Sequence, residues 1–193
     1  MLIDLLRHGE PEGGQRYRGC GIDDPLSETG WAQMRAAVQA NAASWDHIIT
    51  SPMRRCREFA EALSRERGIA LSVEPGLREV GFGSWEGRSP EVIKAESLDE
   101  YLAFYNDPVG ARPAGAEPLD AFARRVRLAL AAATERHARG HLLVVAHSGV
   151  IRAAITLAMD VSPAALYRLR MPYAALTRLR VDERGMSVEF VNR

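Results

Sequence analysis

"HLLVVAHSG", residues 141–149, is the stretch from which the rest of the chain can be read. Leu142 to Ala146 form an uninterrupted apolar run, the pattern of a central parallel strand covered on both faces. The run stops at His147, followed at once by a small residue and a turn. The start of the chain repeats this ending. "LIDLLRHGE", residues 2–10, is a second apolar strand that stops on Arg7 and His8, followed by Gly9. One such ending is ordinarily a strand entering a solvated loop. Two in one chain suggest a shared site.

Working outward from these strands, residues 9–25 form a loop rich in Gly, Pro and Arg. Ser27 reads as the N-cap of a helix carrying Trp31, Met34 and Val38 on one face. "HIIT", residues 47–50, is a short strand. It hands over to Ser51 as a cap and Pro52 at the first helical position, predicting a helix to about Gly68 that buries Phe59 and Leu63. "LSVEP" predicts a third strand, and residues 76–90 an ordered glycine-rich loop. Short helical pieces follow from about Pro90 to Asn106. A Pro/Gly/Ala stretch then precedes a long amphipathic helix with Leu119, Phe122, Val126 and Leu130 on one face. After the 141–146 strand, a helix is expected from about Val150 and another capped by Ser162-Pro163. Residues 173–192 alternate like a hairpin around Glu183-Arg184-Gly185. Strands alternating with helices predict an α/β layer architecture.

The chain has 193 residues, which fits a single domain spanning 1–193. Its charged fraction is 26%, with 25 basic against 25 acidic residues, so no general polyanion-binding surface and no nucleic-acid partner are indicated. Lys94 is the only lysine. Cys20 and Cys56 have neither metal-ligand spacing nor the pattern of a disulfide framework, which reads as a reduced, cytoplasmic protein. Cys56 is expected to be a small packed residue. The N-terminal run is short, contains Asp4 and lacks a basic flank, so it is not read as a signal peptide. No stretch is long enough to cross a membrane.

Ligands of such sheets sit beyond the carboxyl ends of the strands. There the sequence places Arg7 and His8, then Ser51 to Arg55, then His147. Small residues after each histidine let backbone N–H groups approach a ligand. Arginines present planar forks suited to phosphate. The combination points to a dianion pocket with an imidazole nucleophile. A metal site on His8 and His147 lacks any accompanying HxH, HExxH or CxxC pattern. His47, His137 and His141 have no motif context and read as surface or packing residues.

These motifs resemble the histidine phosphatase superfamily, the phosphoglycerate mutase-like proteins. Its Arg-His-Gly signature is here Arg7-His8-Gly9, and the likeness continues through "DDPLSETGWAQ", "TSPMRRCREFAEAL", "LREVGFGSWEG" and "VVAHSGVIR". The resemblance implies a three-layer α/β/α sandwich around a mostly parallel mixed sheet, with no cofactor and no metal. It implies His8 as a nucleophile that becomes phosphohistidine. Arg7 and Arg55 would clamp the phosphoryl oxygens, and His147 would donate to them, best if protonated. Glu79 would protonate the leaving alkoxide and later take a proton from water, a role that needs a raised carboxyl pKa. Arg18, Gly21, Ser148 and Gly149 are further implied substrate contacts. Arg54 competes with Arg55 for the clamp, but one helical position turns a side chain by about a hundred degrees, so only one points inward, and Arg55 is favoured. Glu86 competes with Glu79 as the acid and is read instead as part of the turn.

The family's common first motif has Thr and Asn where this chain has Pro11 and Gly14, which leaves one polar phosphate contact unaccounted for. The mutase branch is longer around the pocket, so hydrolysis of a small phosphomonoester is the expectation. "YRGCGIDDPLSETGWAQ", "ITSPMRRCREFAEAL" and "GFGSWEGRS" look most like the α-ribazole phosphatase branch. That branch removes the 5′-phosphate of α-ribazole 5′-phosphate in assembly of the cobalamin nucleotide loop. Arg16, Tyr17, Arg18 and the segment 98–117 are where substrate choice is expected. A broad-specificity or sugar-phosphate phosphatase, a phosphoglycerate mutase and a non-catalytic phosphate-binding module are the alternatives. Monomer and homodimer both remain open.

Overall fold

The computed structural model describes residues 1–41 and 43–193. Six strands form one sheet: β1 (Leu2–Arg7), β2 (His47–Thr50), β3 (Leu71–Val73), β4 (His141–Ala146), β5 (Leu176–Asp182) and β6 (Gly185–Phe190). Their spatial order is β3-β2-β4-β1-β5-β6. The first four in that order run parallel, and β5 and β6 add an antiparallel hairpin beside β1. The helices are α1 (Glu28–Ala40), α2 (Arg54–Arg67), α3 (Pro90–Glu96), α4 (Leu98–Asn106), α5 (Leu119–Arg136) and α6 (Ser148–Ala158). None is long and apolar enough to cross a membrane.

Alternation along β4 produces the three layers. Leu143 and Val145 pack with Met34, Val38, Phe59 and Leu63 of α1 and α2, while Leu142 and Val144 pack with Phe122, Val126 and Leu130 of α5 and with α6. Both faces of this strand are therefore covered, and each fully buried Leu or Val contributes about 1.5–3 kcal/mol.

Four elements differ from the sequence reading. The N-cap of α2 is Met53, not Ser51, and Pro52 precedes the helix. Ser51 is drawn to His147 instead, and the exposed Arg54 N–H finds the Asp23 carboxylate at 2.7 Å. Helix α6 starts at Ser148 because His147 itself holds the extended N-cap position. "LSVEP" ends as a strand at Val73. Glu74 then caps a short 3-10 turn, accepting the Gly76 N–H at 2.9 Å. The segment after Ser162-Pro163 is likewise a 3-10 turn, Pro163–Arg168.

At the amino end of the strands, opposite the site described below, Asp4 is fully buried. Its carboxylate accepts from Arg178 Nε and Nη2 (2.6 and 3.0 Å), Trp45 Nε1 (2.8 Å) and His141 Nε2 (2.9 Å). His141 is thus a packing histidine, and His47 stacks on His137. Breaking a buried ion pair leaves polar groups without partners. Asp4→Ala is therefore expected to cost on the order of 3 kcal/mol of stability, measured by urea unfolding. Activity per folded molecule should stay at the parental level.

Candidate active site

Parallel registry brings the catalytic candidates into a row. Arg7 pairs with Ala146, and Thr50 with Val145, so Ser51, His147 and His8 leave three adjacent strands side by side. The turns are held by sheet-like bonds, His8 N–H to the Ala146 carbonyl (3.0 Å) and Ser51 N–H to the Val145 carbonyl (3.0 Å). Gly9 is required here by packing. A Cβ at Gly9 would lie 2.2 Å from the Gly30 carbonyl oxygen, so α1 closes against the turn that follows His8.

His8 is almost fully buried at the floor of a cavity of about 160 Å³. Its Nδ1 lies 2.7 Å from the Gly9 carbonyl oxygen. A carbonyl only accepts, so Nδ1 carries the proton, and in the neutral ring Nε2 holds the lone pair. Burial, reinforced by Arg55 and Arg7, pushes the His8 pKa well below its ordinary 6.5. The ring is therefore neutral at physiological pH.

Arg7 and Arg55 both line this cavity. Arg55 is buried, with Nη1 bonded to the Ile22 carbonyl and Nη2 to the Gly19 carbonyl, each at 2.9 Å. Arg54 points to solvent and pairs with Glu58, one helical turn away. Arg7 bonds the Met171 carbonyl and lies over the Tyr173 ring, 4.2 Å from its centroid. Burial lowers the Arg7 pKa to about 10, which leaves it charged.

Glu79 reaches the same cavity from the loop after β3. Its Oε1 accepts the Val80 N–H at 2.9 Å, and its Oε2 accepts from Ser148 Oγ and the Gly149 N–H, both at 3.2 Å. Two expected substrate contacts therefore hold the carboxylate instead, and only Ser148 of the pair lines the cavity. Gly149 has a steric reason as well: a Cβ there would stand 2.2 Å from Glu79 Oε1. Glu86 is away from the cavity, its carboxylate accepting the N–H groups of Cys20, Gly21 and Phe82 at 3.3, 3.0 and 2.9 Å. It ties two loops together. Gly21, expected as a substrate contact, is off the cavity wall, and its N–H is occupied by this bond.

His147 lies beside His8, edge-on at 5.3 Å between ring centroids, but it is fully buried and off the cavity wall. Its Nε2 is 2.7 Å from Ser51 Oγ, and the Cys56 sulfur packs 3.6 Å from the same nitrogen. Burial, Arg55 and His8 push the His147 pKa well below 6.5, so the ring is neutral here rather than protonated. Donation to a phosphoryl oxygen requires a ring N–H to turn from Ser51 toward the bound group. Ser51 was placed at this end of the sheet from sequence, but only as a cap, and Cys56 escaped as a site neighbour because it read as a core residue.

Arg16, Tyr17 and Arg18 line the cavity, as does Tyr105 from α4. Arg18 is held by Asp24 Oδ2 (2.8 Å) and by the Glu12 and Gly14 carbonyls (2.6 and 2.7 Å). Gly14 itself is not on this wall. Phe82, Arg152, Tyr167 and Tyr173 complete it and were not singled out from sequence. Arg152 had a signal in its position, one helical turn after Ser148 on α6. Tyr167, Tyr173 and Phe82 had none. Among the described residues no three or more His, Cys, Asp or Glu side chains converge as a metal site would require.

The two neutral histidines carry a stability prediction. The unfolded chain takes up protons on both imidazoles near pH 6.5, and the folded chain does not. Stability should therefore fall as pH drops through 6.5, by up to about 1.4 kcal/mol per pH unit for each ring. Urea titrations from about pH 7 to about pH 5 check this. His8→Ala should lose one ring's share of the slope, and an unchanged slope would mean that the His8 ring is protonated in the folded protein.

The residue pattern also matches known proteins. The model of the histidine phosphatase superfamily (branch 1) covers residues 3–193. The adenosylcobalamin/alpha-ribazole phosphatase of Escherichia coli is 26% identical, over 100% of this chain and 96% of its own length. A bifunctional protein of Mycobacterium tuberculosis is 30% identical over 98% of this chain, which spans about half (53%) of that relative's length. Among solved structures, mycobacterial glucosyl-3-phosphoglycerate phosphatase with VO3 superposes with a TM-score of 0.88 at 25% identity, over 99% of this chain and 98% of that one. With the family match running through both strand-end histidines and the loop of Glu79, the chain belongs to the histidine phosphatase superfamily.

Proposed function

We propose that the protein is a phosphomonoester hydrolase that works through a phosphohistidine on His8 and needs no metal. The observation that carries this reading is the state of His8: Nδ1–H is tied to the Gly9 carbonyl and the ring is kept neutral between two arginines. In the first step the Nε2 lone pair forms an N–P bond, the ester P–O bond breaks, and Glu79 as the acid gives its proton to the leaving oxygen. In the second, water attacks phosphorus, Glu79 takes the water proton, and the N–P bond returns its electron pair to Nε2 with release of inorganic phosphate. Arg7 and Arg55 meet the charge that gathers on the phosphoryl oxygens. His147 backs His8 and joins them once a ring N–H turns toward the bound group.

The finer reading is α-ribazole 5′-phosphate as substrate, in cobalamin nucleotide-loop assembly. Its support is the whole-length likeness to the Escherichia coli phosphatase and a leaving-group wall of Tyr17, Phe82, Tyr105 and Tyr167, suited to a planar ring. A broad-specificity phosphatase using the same five residues is the second reading, because folds of this kind host many substrates.

The test is initial rates of phosphate release in the presence of a chelator. The panel holds α-ribazole 5′-phosphate, 3-phosphoglycerate, fructose 2,6-bisphosphate, a nucleoside 5′-monophosphate and p-nitrophenyl phosphate, with His8→Ala as blank. A preference of about a hundredfold for α-ribazole 5′-phosphate, about 2.7 kcal/mol of transition-state discrimination, is expected. A flat but His8-dependent profile would support the second reading. Loss of activity on chelation would overturn metal independence.

A further inference from the structure

On the far side of the Glu79 loop from the cavity stands Arg125 of α5, and all of its N–H groups have partners. Nε and Nη2 grip the Glu117 carboxylate as a fork, at 2.7 and 2.8 Å. The two protons of Nη1 go to the Gly76 and Arg78 carbonyls at 2.8 and 2.7 Å, and the second proton of Nη2 goes to the carbonyl of Glu79 itself at 3.0 Å. Glu117 closes the arrangement by accepting the Gly81 N–H at 3.2 Å. One ion pair therefore holds the backbone on both sides of Glu79 while the Glu79 side chain projects the other way.

This loop contains no strand and no α-helix, only short 3-10 turns at 75–77 and 83–85, so its backbone has no ladder to fix it. A proton donor must nevertheless hold its oxygen within hydrogen-bond reach of the leaving atom, and small displacements there are costly. The fork is half-buried, where burial works against the Glu117 carboxylate and Arg125 holds its pKa below the ordinary range. A planar guanidinium delivers these bonds in fixed directions, which a lysine ammonium cannot reproduce.

We propose that Arg125, locked by Glu117, is the positioning residue for the acid–base carboxylate Glu79, setting the rate of leaving-group protonation without touching substrate. The proposal rests on the reading of Glu79 as proton donor. Arg125→Lys is expected to lower kcat/KM for glycerol 3-phosphate, an alkyl ester with a poor leaving group, by about tenfold to a hundredfold. For p-nitrophenyl phosphate kcat/KM should change by less than about threefold, because it reports the first step alone, nitrophenolate leaves without a proton and the phosphate clamp is untouched.

The deciding measurement is the double variant. In a Glu79→Gln background, Arg125→Lys should cost nothing further on glycerol 3-phosphate, since its effect runs through the missing carboxyl. Glu117→Gln, close in shape to the parent, should show the same selective loss more weakly and guards against a poorly folded Arg125→Lys. If Arg125→Lys lowers both esters equally, or costs as much in the Glu79→Gln background as in the parent, Arg125 only holds the fold and the proposal is overturned. If Glu79→Gln alone shows no dependence on leaving group, the reading of Glu79 falls, and the proposal falls with it.

Discussion

His8→Ala is expected to lower kcat by about four to six orders of magnitude, the range seen when a covalent nucleophile is removed. The size follows from geometry. Nε2 is the lone pair oriented by the Gly9 bond, and the neutral His147 ring is turned toward Ser51, so no second imidazole is placed to substitute. The variant should stay folded. The ring is small and its truncation opens onto a cavity rather than a sealed core, while removing a buried imidazole also removes a penalty at acid pH. Labelled phosphate from substrate should be trapped on the parent protein under alkaline quench, which spares the acid-labile N–P bond, and should be absent from the variant. Retention of full activity would show that the covalent path is wrong.

Glu79→Gln carries the second large effect and separates acid catalysis from binding. The amide cannot give a proton to a leaving alkoxide, so alkyl phosphates should slow by about a hundredfold to ten-thousandfold. p-Nitrophenyl phosphate, whose leaving group needs little protonation, should lose less than about tenfold in the first step. The amide oxygen can still accept from Ser148 and Gly149, at the loss of the Val80 N–H bond to the other oxygen, while the backbone of the loop stays held by Arg125. The contrast is read from kcat/KM on the two esters, which reports the first step alone, and equal losses on both would count against Glu79 as the donor.

Much of this site was legible because its chemistry sits on local signals. A strand that ends in a histidine and a small residue marks its own carboxyl end, so Arg7, His8 and His147 could be placed at one edge of the sheet before any coordinates. The turn of a helix showed that only one of Arg54 and Arg55 could point inward, and the resemblance to the family motif favoured Arg55. Three-dimensional proximity separated what local signals could not. Ser51 looked like a cap; its Oγ accepts the Met53 N–H at 3.3 Å but also holds His147 at 2.7 Å, and Gly21, expected as a substrate contact, donates its N–H to Glu86. The partners that proximity revealed lie 96 and 65 residues away along the chain.

The same division holds for the whole chain. Period and punctuation determine strands, helices and their alternation, because a buried strand needs a continuous apolar run and a helix needs an apolar stripe. The order of strands, the antiparallel hairpin beside β1 and the fork that grips the Glu79 loop depend on contacts between distant segments. No single segment encodes them. His8 illustrates the boundary: its residue type and strand-end position are in the sequence, whereas its neutral charge and the nitrogen left free are decided by burial, two arginines and one carbonyl that only the folded chain assembles.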